Sequence, residues 1–202
     1  KPMIRINKKP ILVHIMSHYA KYGYNDFYIA LGYKGKVIKQ YFKRNKFPKW
    51  NIKLIDTGKK TMTGGRLKKL QNIIKNETFM LTYGDGLSDI NIKKLVNFHK
   101  KNNKLVSLTA ARPPARFGAI KIKGNIVSYF KEKSKLDEGW INGGFFVMEP
   151  EIFKYIKNSQ TYLEREPLAT MSKKREIAAF KHSGFWQCMD TKRDKDLLEK
   201  VF

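Results

Sequence analysis

Short apolar segments alternate with segments of helical periodicity along most of this 202-residue chain. "DFYIALGY" (26–33) and "NIKLIDTG" (51–58) have the length and the β-branched or aromatic content of buried strands. Each is followed by a segment with apolar residues at helical spacing, "KGKVIKQYF" (34–42) and "GGRLKKLQNII" (64–74). This order of strand, helix, strand and helix predicts an α/β layered architecture.

The same alternation continues toward the end of the sequence. Further segments are predicted as strands over 78–83, 104–111, 139–150 and 176–182, as a hairpin over 119–130, and as helices over 10–22, 92–99, just after Pro150 and over 190–202. Asp89 is predicted to cap the helix that begins near Ile92, and Asp190 or Thr191 to cap the closing helix. Because no repeat or linker interrupts the pattern, we predict one domain over 1–202.

The chain carries a formal net charge of +25. A surface this basic attracts nucleic acid, anionic membranes or phosphorylated substrates, and the charge alone does not choose among them. The lysines are scattered over the sequence rather than gathered in one tail or one helix face. We therefore interpret them as a solvated surface and expect neither a nucleic-acid nor a membrane partner.

Cysteine use and hydropathy indicate the cellular compartment. Cys188 is the single cysteine, which excludes an internal disulfide and a metal site built from several cysteines. No run of about 18 apolar residues is present to cross a membrane. The first residues, "KPMIRINKKPIL", do not resemble a signal peptide. A cytoplasmic protein is the expectation.

Two aspartates stand at predicted strand ends. Asp85 lies between two glycines in "TYGDGLSD" (82–89), directly after an apolar strand, and Asp190 lies between a predicted strand and the last helix. Each has an ordinary explanation, since Asp-Gly is a common turn pair and Asp is a common helix cap. Ligands of open α/β sheets bind beyond the carboxyl ends of strands, where Mg²⁺ takes one or two carboxylates plus phosphate oxygens. The pair is therefore a candidate divalent-ion site.

Several motifs in this order carry a family resemblance. They are "TGKKTMTGGRLKKL", "LTYGDGLSDINI", "PPARFGAI", "INGGFFVMEP", "EREPLATM" and "GFWQCMDTKRDK". Together they resemble the glucose-1-phosphate cytidylyltransferases of the sugar-nucleotide pyrophosphorylase family, over nearly the whole chain. The resemblance implies a Rossmann-like α/β fold with a mixed, mainly parallel sheet flanked by helices.

The resemblance also implies a reaction and a set of site residues. CTP and glucose 1-phosphate would give CDP-glucose and pyrophosphate, with Mg²⁺ as cofactor and a homo-oligomer as the working assembly. By motif, Asp85 and Asp190 would hold the metal and Lys1 would lie near the phosphates. The remaining implied contacts are with the nucleotide, by Thr61, Arg66 and Gly84, with the sugar phosphate, by Lys133, and with the sugar, by Asn142, Gly143 and Glu166. Trp186 fits two roles equally well, packing over the sugar or filling the core.

The chain departs from the family pattern in three places. The family's glycine-rich "GGxGTR" phosphate loop would precede Lys1, and the family has a longer segment between Phe42 and Trp50. We expect both segments to belong to the full protein, because Lys1 falls in the middle of a motif. Their true absence would compromise triphosphate binding. Ala115 stands where the family has glycine.

Three other interpretations stay open from the sequence. The same fold could use another nucleotide or another sugar 1-phosphate. A relative that lost the phosphate loop could bind a nucleotide sugar without catalysis. A basic RNA-binding protein is the third, although no RNP-like strand is present.

Overall fold

The structure is a computed structural model that describes residues 1–113, 119–131 and 139–201. Its strands are β1 (Arg5–Ile6), β2 (Lys9–Pro10), β3 (Asp26–Leu31), β4 (Asn51–Asp56), β5 (Phe79–Thr82), β6 (Gly86–Ser88), β7 (Val106–Ala111), β8 (Ala119–Lys123), β9 (Ile126–Lys131), β10 (Ile141–Met148), β11 (Ile177–His182) and β12 (Trp186–Cys188). Its helices are α1 (Ile11–Lys21), α2 (Gly35–Arg44), α3 (Thr63–Lys69), α4 (Gln71–Ile74), α5 (Ile92–Asn102), α6 (Glu166–Lys173) and α7 (Lys192–Val201), with a 3₁₀ helix at Pro150–Tyr155.

The central sheet has four strands in the order β11, β7, β10 and β5. β11 runs parallel to β7, whereas β10 runs antiparallel to both β7 and β5. β5, β7 and β11 therefore share one direction, and β10 alone opposes it. This confirms the prediction of a mixed, mainly parallel sheet flanked by helices.

The core has two layers, one on each face of the central sheet, and two neighbouring residues of β10 belong to different layers. Side chains alternate along a strand, so neighbours face opposite sides of the sheet. Phe145 packs with α1 and α5 residues in one buried cluster, and Phe146 packs with residues of the 3₁₀ helix and α6 in the other. Each fully buried side chain of this size contributes about 1.5–3 kcal/mol to folding. The sheet is thereby fixed between helices on both faces.

The smaller β-structures follow the predictions. β3 and β4 form a parallel pair with Ile29 opposite Leu54. β8 and β9 form the predicted hairpin, whose turn includes Gly124 at φ +61°. Among the residues described, no helix combines the length and the apolar character that a membrane span requires.

The predicted cap of α5 is wrong. The side chain of Asn91 accepts a hydrogen bond from the Lys94 amide at 2.9 Å, which makes Asn91 the cap. β6 extends to Ser88 and Ile90 is buried, so the chain enters the helix later than expected. Asp89 instead contacts His182 through Oδ1 and Nε2 at 2.9 Å.

The structure refines two more of the helix predictions. Leu70 closes α3 by donating its amide to Leu67 O at 2.9 Å, so the expected single helix is divided there. At α7, Thr191 Oγ1 accepts from the Asp194 amide, and an Asp194 carboxylate oxygen accepts from the Thr191 amide. This reciprocal capping box identifies Thr191, rather than Asp190, as the cap.

Candidate active site

Most of the predicted site residues lie at one end of the central sheet, where its strands begin or terminate; this end is called the sheet edge below. Because β5, β7 and β11 run in one direction and β10 in the other, the carboxyl ends of three strands meet the amino end of β10 there. Tyr83, Gly84 and Asp85 leave β5 at this edge, and Asn142 and Gly143 enter β10. This edge is where open α/β sheets bind ligands.

Asp85 and Asp190 converge because β6 pairs with β12. Gly86 lies opposite Cys188 in that antiparallel pair, and the Met189 amide donates to Asp85 O at 2.9 Å. Lys1 Nζ donates to Asp190 Oδ1 and lies 3.9 Å from Asp85 Oδ2. The carboxylates therefore open into one cleft.

Gly84 packs next to this cluster. A Cβ atom added at Gly84 would lie 3.0 Å from Pro2 Cγ. Glycine at this position allows the Lys1-Pro2 segment to approach the end of β5 closely.

The charges at this cluster favour a cation between the two carboxylates. The Asp85 side chain is 35% exposed. Its burial raises the pKa of the carboxyl above the ordinary value, with Lys1 opposing the shift and repulsion from Asp190 adding to it. In turn, the hydrogen bond to Asp190 raises the pKa of Lys1. The site thus holds two anionic groups and stabilises a positive charge between them.

The two carboxylates of this cluster fit a magnesium ion, because they already hold a positive charge between them. The Lys1 ammonium contacts both carboxylates, so it is a stand-in for a cation at that position. No set of three or more His, Cys, Asp or Glu side chains within the described residues could hold a metal. Mg²⁺ does not require such a set, since it commonly takes two carboxylates with water and phosphate oxygens.

Cys188 is adjacent to this cluster and is not activated. Its Sγ donates to Asp190 Oδ2 at 3.3 Å. Burial, together with the neighbouring Asp190, raises the pKa of the thiol to about 11. The group stays protonated at neutral pH, so Cys188 is a hydrogen-bond donor rather than a nucleophile.

The "TMTGGR" segment forms a second region of the site. Arg66 Nη1 donates to Leu31 O at 3.1 Å and to Thr57 Oγ1 at 2.7 Å. Thr61 Oγ1 donates to Thr57 O at 2.5 Å and is buried. Both predicted nucleotide contacts therefore also connect α3 and the segment before it to the ends of β3 and β4. A guanidinium has five N–H donors, so these bonds leave Arg66 capacity for a ligand.

The two glycines of this segment have a packing role. A Cβ atom added at Gly65 would lie 2.3 Å from Ser159 O, and one added at Gly64 would lie 2.9 Å from Thr161 O. The glycines let the start of α3 lie directly against the 159–161 backbone.

Asn142 and Gly143 are held by neighbours that the sequence alone did not indicate. Asn142 Oδ1 accepts from the Gly144 amide at 2.9 Å, and its Nδ2 donates to Tyr83 Oη at 3.4 Å. Trp186 Nε1 donates to Gly143 O at 2.7 Å. Trp186 also packs against the buried cluster around Phe145, so it fills the core and anchors β10 at the same time.

Gly144 requires glycine for two reasons. Its φ of +76° is strained for other residues, and an added Cβ would lie 2.6 Å from the Tyr83 ring. Gly144 lies within the irregular part of β10 between Asn142 and Phe146.

Glu164, which was not predicted, faces this part of the site, and the predicted Glu166 makes a different contact. Glu164 accepts hydrogen bonds from Tyr83 Oη and from Thr63 Oγ1. Glu166 Oε1 pairs with Lys157 Nζ at 2.6 Å, and both of these side chains are mostly exposed. The "ERE" spacing could have drawn attention to Glu164, but only the fold distinguishes the two carboxylates. Lys133 lies outside the described residues, as does Ala115.

Comparisons with known proteins agree with this geometry. The Nucleotidyl transferase family model matches residues 1–191. The glucose-1-phosphate cytidylyltransferase of Salmonella typhimurium is 46% identical over 224 aligned residues, covering 100% of this chain and 87% of that protein. The probable glucose-1-phosphate cytidylyltransferase of Bacillus subtilis is 39% identical, covering 98% of this chain and 85% of that protein.

A solved structure supports the fold. The crystal structure of HddC from Yersinia pseudotuberculosis complexed with GMP-PN superimposes with a TM-score of 0.78 at 19% identity, covering 100% of this chain and 89% of that one. At this identity the likeness concerns the fold alone. The family match over 1–191 and the cytidylyltransferase relatives at 39–46% identity show that the chain belongs to the nucleotidyl transferase family, among the relatives of the glucose-1-phosphate cytidylyltransferases.

Proposed function

We propose that this protein transfers the cytidylyl group of CTP to glucose 1-phosphate and releases pyrophosphate. The observation that carries the proposal is the convergence of Asp85, Asp190 and Lys1 in one cleft at the sheet edge. The chain has this cleft while being 46% identical to a glucose-1-phosphate cytidylyltransferase over its whole length. Both substrates are phosphorylated, and Lys1 together with a cation held by the two carboxylates would neutralise their charge.

The chemistry suits the groups available. An oxygen of the sugar phosphate attacks the α-phosphorus of CTP, and the bond from that phosphorus to the oxygen that bridges it to the β-phosphorus breaks, so that this oxygen leaves with pyrophosphate. The attacking phosphate is already ionised at neutral pH, so no general base is needed. Catalysis then consists of alignment and charge neutralisation. Mg²⁺ bound by Asp85 and Asp190 would supply part of that neutralising charge.

The side chains around the cleft receive the remaining roles. Lys1 would neutralise phosphate oxygens after exchanging its carboxylate contacts for them. Thr61, Arg66 and the backbone at Gly84 would contact the nucleotide. Asn142 and Gly143 would line the sugar, Lys133 would bind the sugar phosphate, and Glu166 would reach the sugar by releasing Lys157.

We further propose that the protein is a cytoplasmic homo-oligomer. Support for self-association comes from one face of the β8–β9 hairpin, where Ile122, its partner Val127 and Phe130 are 63%, 53% and 68% exposed. Contiguous apolar side chains in contact with water are typical of an interaction surface.

Pyrophosphate release tests the proposed reaction. The purified full-length protein is assayed with glucose 1-phosphate, Mg²⁺ and each of the four nucleoside triphosphates in turn, with an Asp85→Asn variant as the matched control. We expect release with CTP well above that with UTP, GTP or ATP, and CDP-glucose as the second product. A preference for another nucleotide would reassign the substrate, and no release with any nucleotide would favour a non-catalytic relative.

A further inference from the structure

A chain of side-chain hydrogen bonds crosses the site from the nucleotide region to the sugar region. Thr63 Oγ1 donates to Glu164 Oε2 at 2.6 Å, and Tyr83 Oη donates to Glu164 Oε1 at 2.7 Å. Asn142 Nδ2 in turn donates to Tyr83 Oη at 3.4 Å. Thr63 is the first residue of α3, which carries Arg66, and Asn142 lies at the start of β10. Glu164 is thus the one group in this chain of bonds that contacts both sides.

The direction of these bonds favours a carboxylate at position 164. Thr63 Oγ1 already accepts from the Leu163 amide at 2.9 Å, and Tyr83 Oη accepts from Asn142. Each hydroxyl therefore has its single hydrogen available for Glu164. An ionised carboxylate can accept from both at once. A glutamine amide of the same shape offers one oxygen and one NH₂ group, so one of the two hydroxyls would lose the bond that it donates to a charged oxygen and would have to turn its hydrogen away.

Packing against its neighbours holds the Tyr83 side chain in place. Its ring lies against Gly144 with no room for a Cβ, and it meets the Phe146 ring at 5.7 Å in an edge-to-face contact. Because these two contacts restrict the ring, packing sets the position of the hydroxyl. The Asn142 amide is then oriented at both ends, by Tyr83 Oη through Nδ2 and by the Gly144 amide through Oδ1.

We propose that Glu164 is a positioning residue that holds the nucleotide-side start of α3 and the sugar-side Asn142 in a common geometry through Thr63 and Tyr83. The inference rests on the proposed function, because it concerns the two substrates of that reaction. Glu164 acts on the nucleotide through Thr63 and on the sugar through Tyr83 and Asn142. The carboxylate itself need not touch either substrate.

Three single variants interrupt the chain of bonds at different points. Thr63→Val removes the hydroxyl on the nucleotide side and is expected to raise KM for CTP. Tyr83→Phe keeps the ring and removes the hydroxyl on the sugar side, so KM for glucose 1-phosphate rises. Glu164→Gln interrupts both sides and raises both constants. Each expected increase is about tenfold, the effect of losing one hydrogen bond to a charged group, while kcat changes less than about threefold.

Matched controls separate positioning from general damage. Thr63→Ser keeps the hydroxyl and should restore the wild-type KM for CTP. Glu199→Gln, in a half-buried pair with Lys195 on α7, is the same substitution outside the site. Thermal melting of every variant reports the loss of folding stability. A variant that melts earlier while both KM values stay at the wild-type level would assign a merely structural role and overturn the proposal.

A double-mutant cycle of Tyr83→Phe with Glu164→Gln decides how Glu164 acts on the sugar. If it acts through Tyr83, the double variant raises KM for glucose 1-phosphate no more than the larger single change. Independent, multiplying effects would mean that Glu164 contacts the substrate directly, which overturns the positioning role. Absence of cytidylyltransferase activity in the wild type would instead refute the proposed function, and this inference with it.

Discussion

The Met189 amide donates to the main-chain carbonyl of Asp85 across 2.9 Å. This bond continues the antiparallel pairing of β6 and β12 by one step beyond Cys188 and Gly86. It places Asp85 next to the residue that precedes Asp190, so the two carboxylates leave adjacent backbone positions. The spacing of the proposed metal ligands is therefore set by main-chain pairing, which side-chain substitutions leave intact.

Replacement of either carboxylate should stop catalysis without unfolding the protein. Asp85→Asn and Asp190→Asn each remove one charge from the cleft, and we expect kcat/KM for CTP to fall about 100-fold or more, the range for deleting a group that stabilises developing charge. Steady-state pyrophosphate release at fixed Mg²⁺ measures the loss. The exposed Asp196→Asn on α7 is the control and should retain activity. Equal activity of the cleft variants and the control would refute the metal site.

The stability of the metal-free protein should respond to pH through Asp85. Burial raises the pKa of this carboxyl in the folded chain above its value in the unfolded chain. Such a group destabilises the fold when it is ionised in both states, and the penalty disappears as the pH falls through the folded pKa toward the unfolded value. In EDTA at pH 7, Asp85→Asn should therefore melt about 1–3 °C above the wild type.

Melting curves from pH 4 to pH 8 check this sign. The difference between the two proteins should narrow toward the acid end of the series. A variant that melts below the wild type at pH 7 would mean that the ion pair with Lys1 outweighs the cost of burying Asp85.

The sequence allowed the sheet-edge aspartates to be predicted because strand ends leave a local signature. An apolar run that stops at Gly-Asp-Gly can be recognised without knowing what it packs against. The same holds for the α/β class and for the β8–β9 hairpin, since alternation and the Lys123-Gly124-Asn125 turn are local features.

Glu164 and the α5 cap could not be predicted in this way. Glu164 precedes α6 in an irregular segment, and its partners Tyr83 and Thr63 are distant in the sequence. Asp89 and Asn91 are both good helix caps, and only the contact between Asp89 and His182 decides between them. Contacts between distant segments depend on the finished packing, so periodicity does not contain them.

The β8–β9 hairpin should control self-association. Ile120 pairs with Phe130 and Ile122 with Val127, so these four side chains form an apolar face. On the other face Lys121 Nζ lies 5.4 Å from the centre of the Tyr129 ring.

Ile122→Thr combined with Phe130→Thr should reduce the molar mass measured by light scattering to that of a monomer, because the double substitution removes most of the apolar area of the hairpin face. Lys121→Thr, on the opposite face, should leave the mass unchanged. A wild-type protein that is already monomeric at micromolar concentration would contradict the assignment of this surface.

Arg66 should affect both folding and nucleotide use. Its two bonds to Leu31 O and Thr57 Oγ1 hold α3 against the ends of β3 and β4, and Thr57 is fully buried. Arg66→Ala should therefore lower the melting temperature, because the bonds to a buried hydroxyl and a buried carbonyl are lost. It should also lower kcat/KM for CTP, by a factor that corresponds to a loss of about 1.5–3 kcal/mol in transition-state stabilisation, the range for one hydrogen bond to a charged group. Arg66→Lys keeps the charge but cannot reproduce two donors in a fixed plane, so it should recover less than half of either loss.

Kinetics with CTP and UTP then identify what Arg66 contacts. A narrower preference for CTP over UTP indicates the base, and equal losses with the two nucleotides indicate the phosphates or the scaffold. Unchanged kinetics with both nucleotides, in a variant that melts early, would remove Arg66 from the binding site and leave it as a structural link between α3 and the sheet.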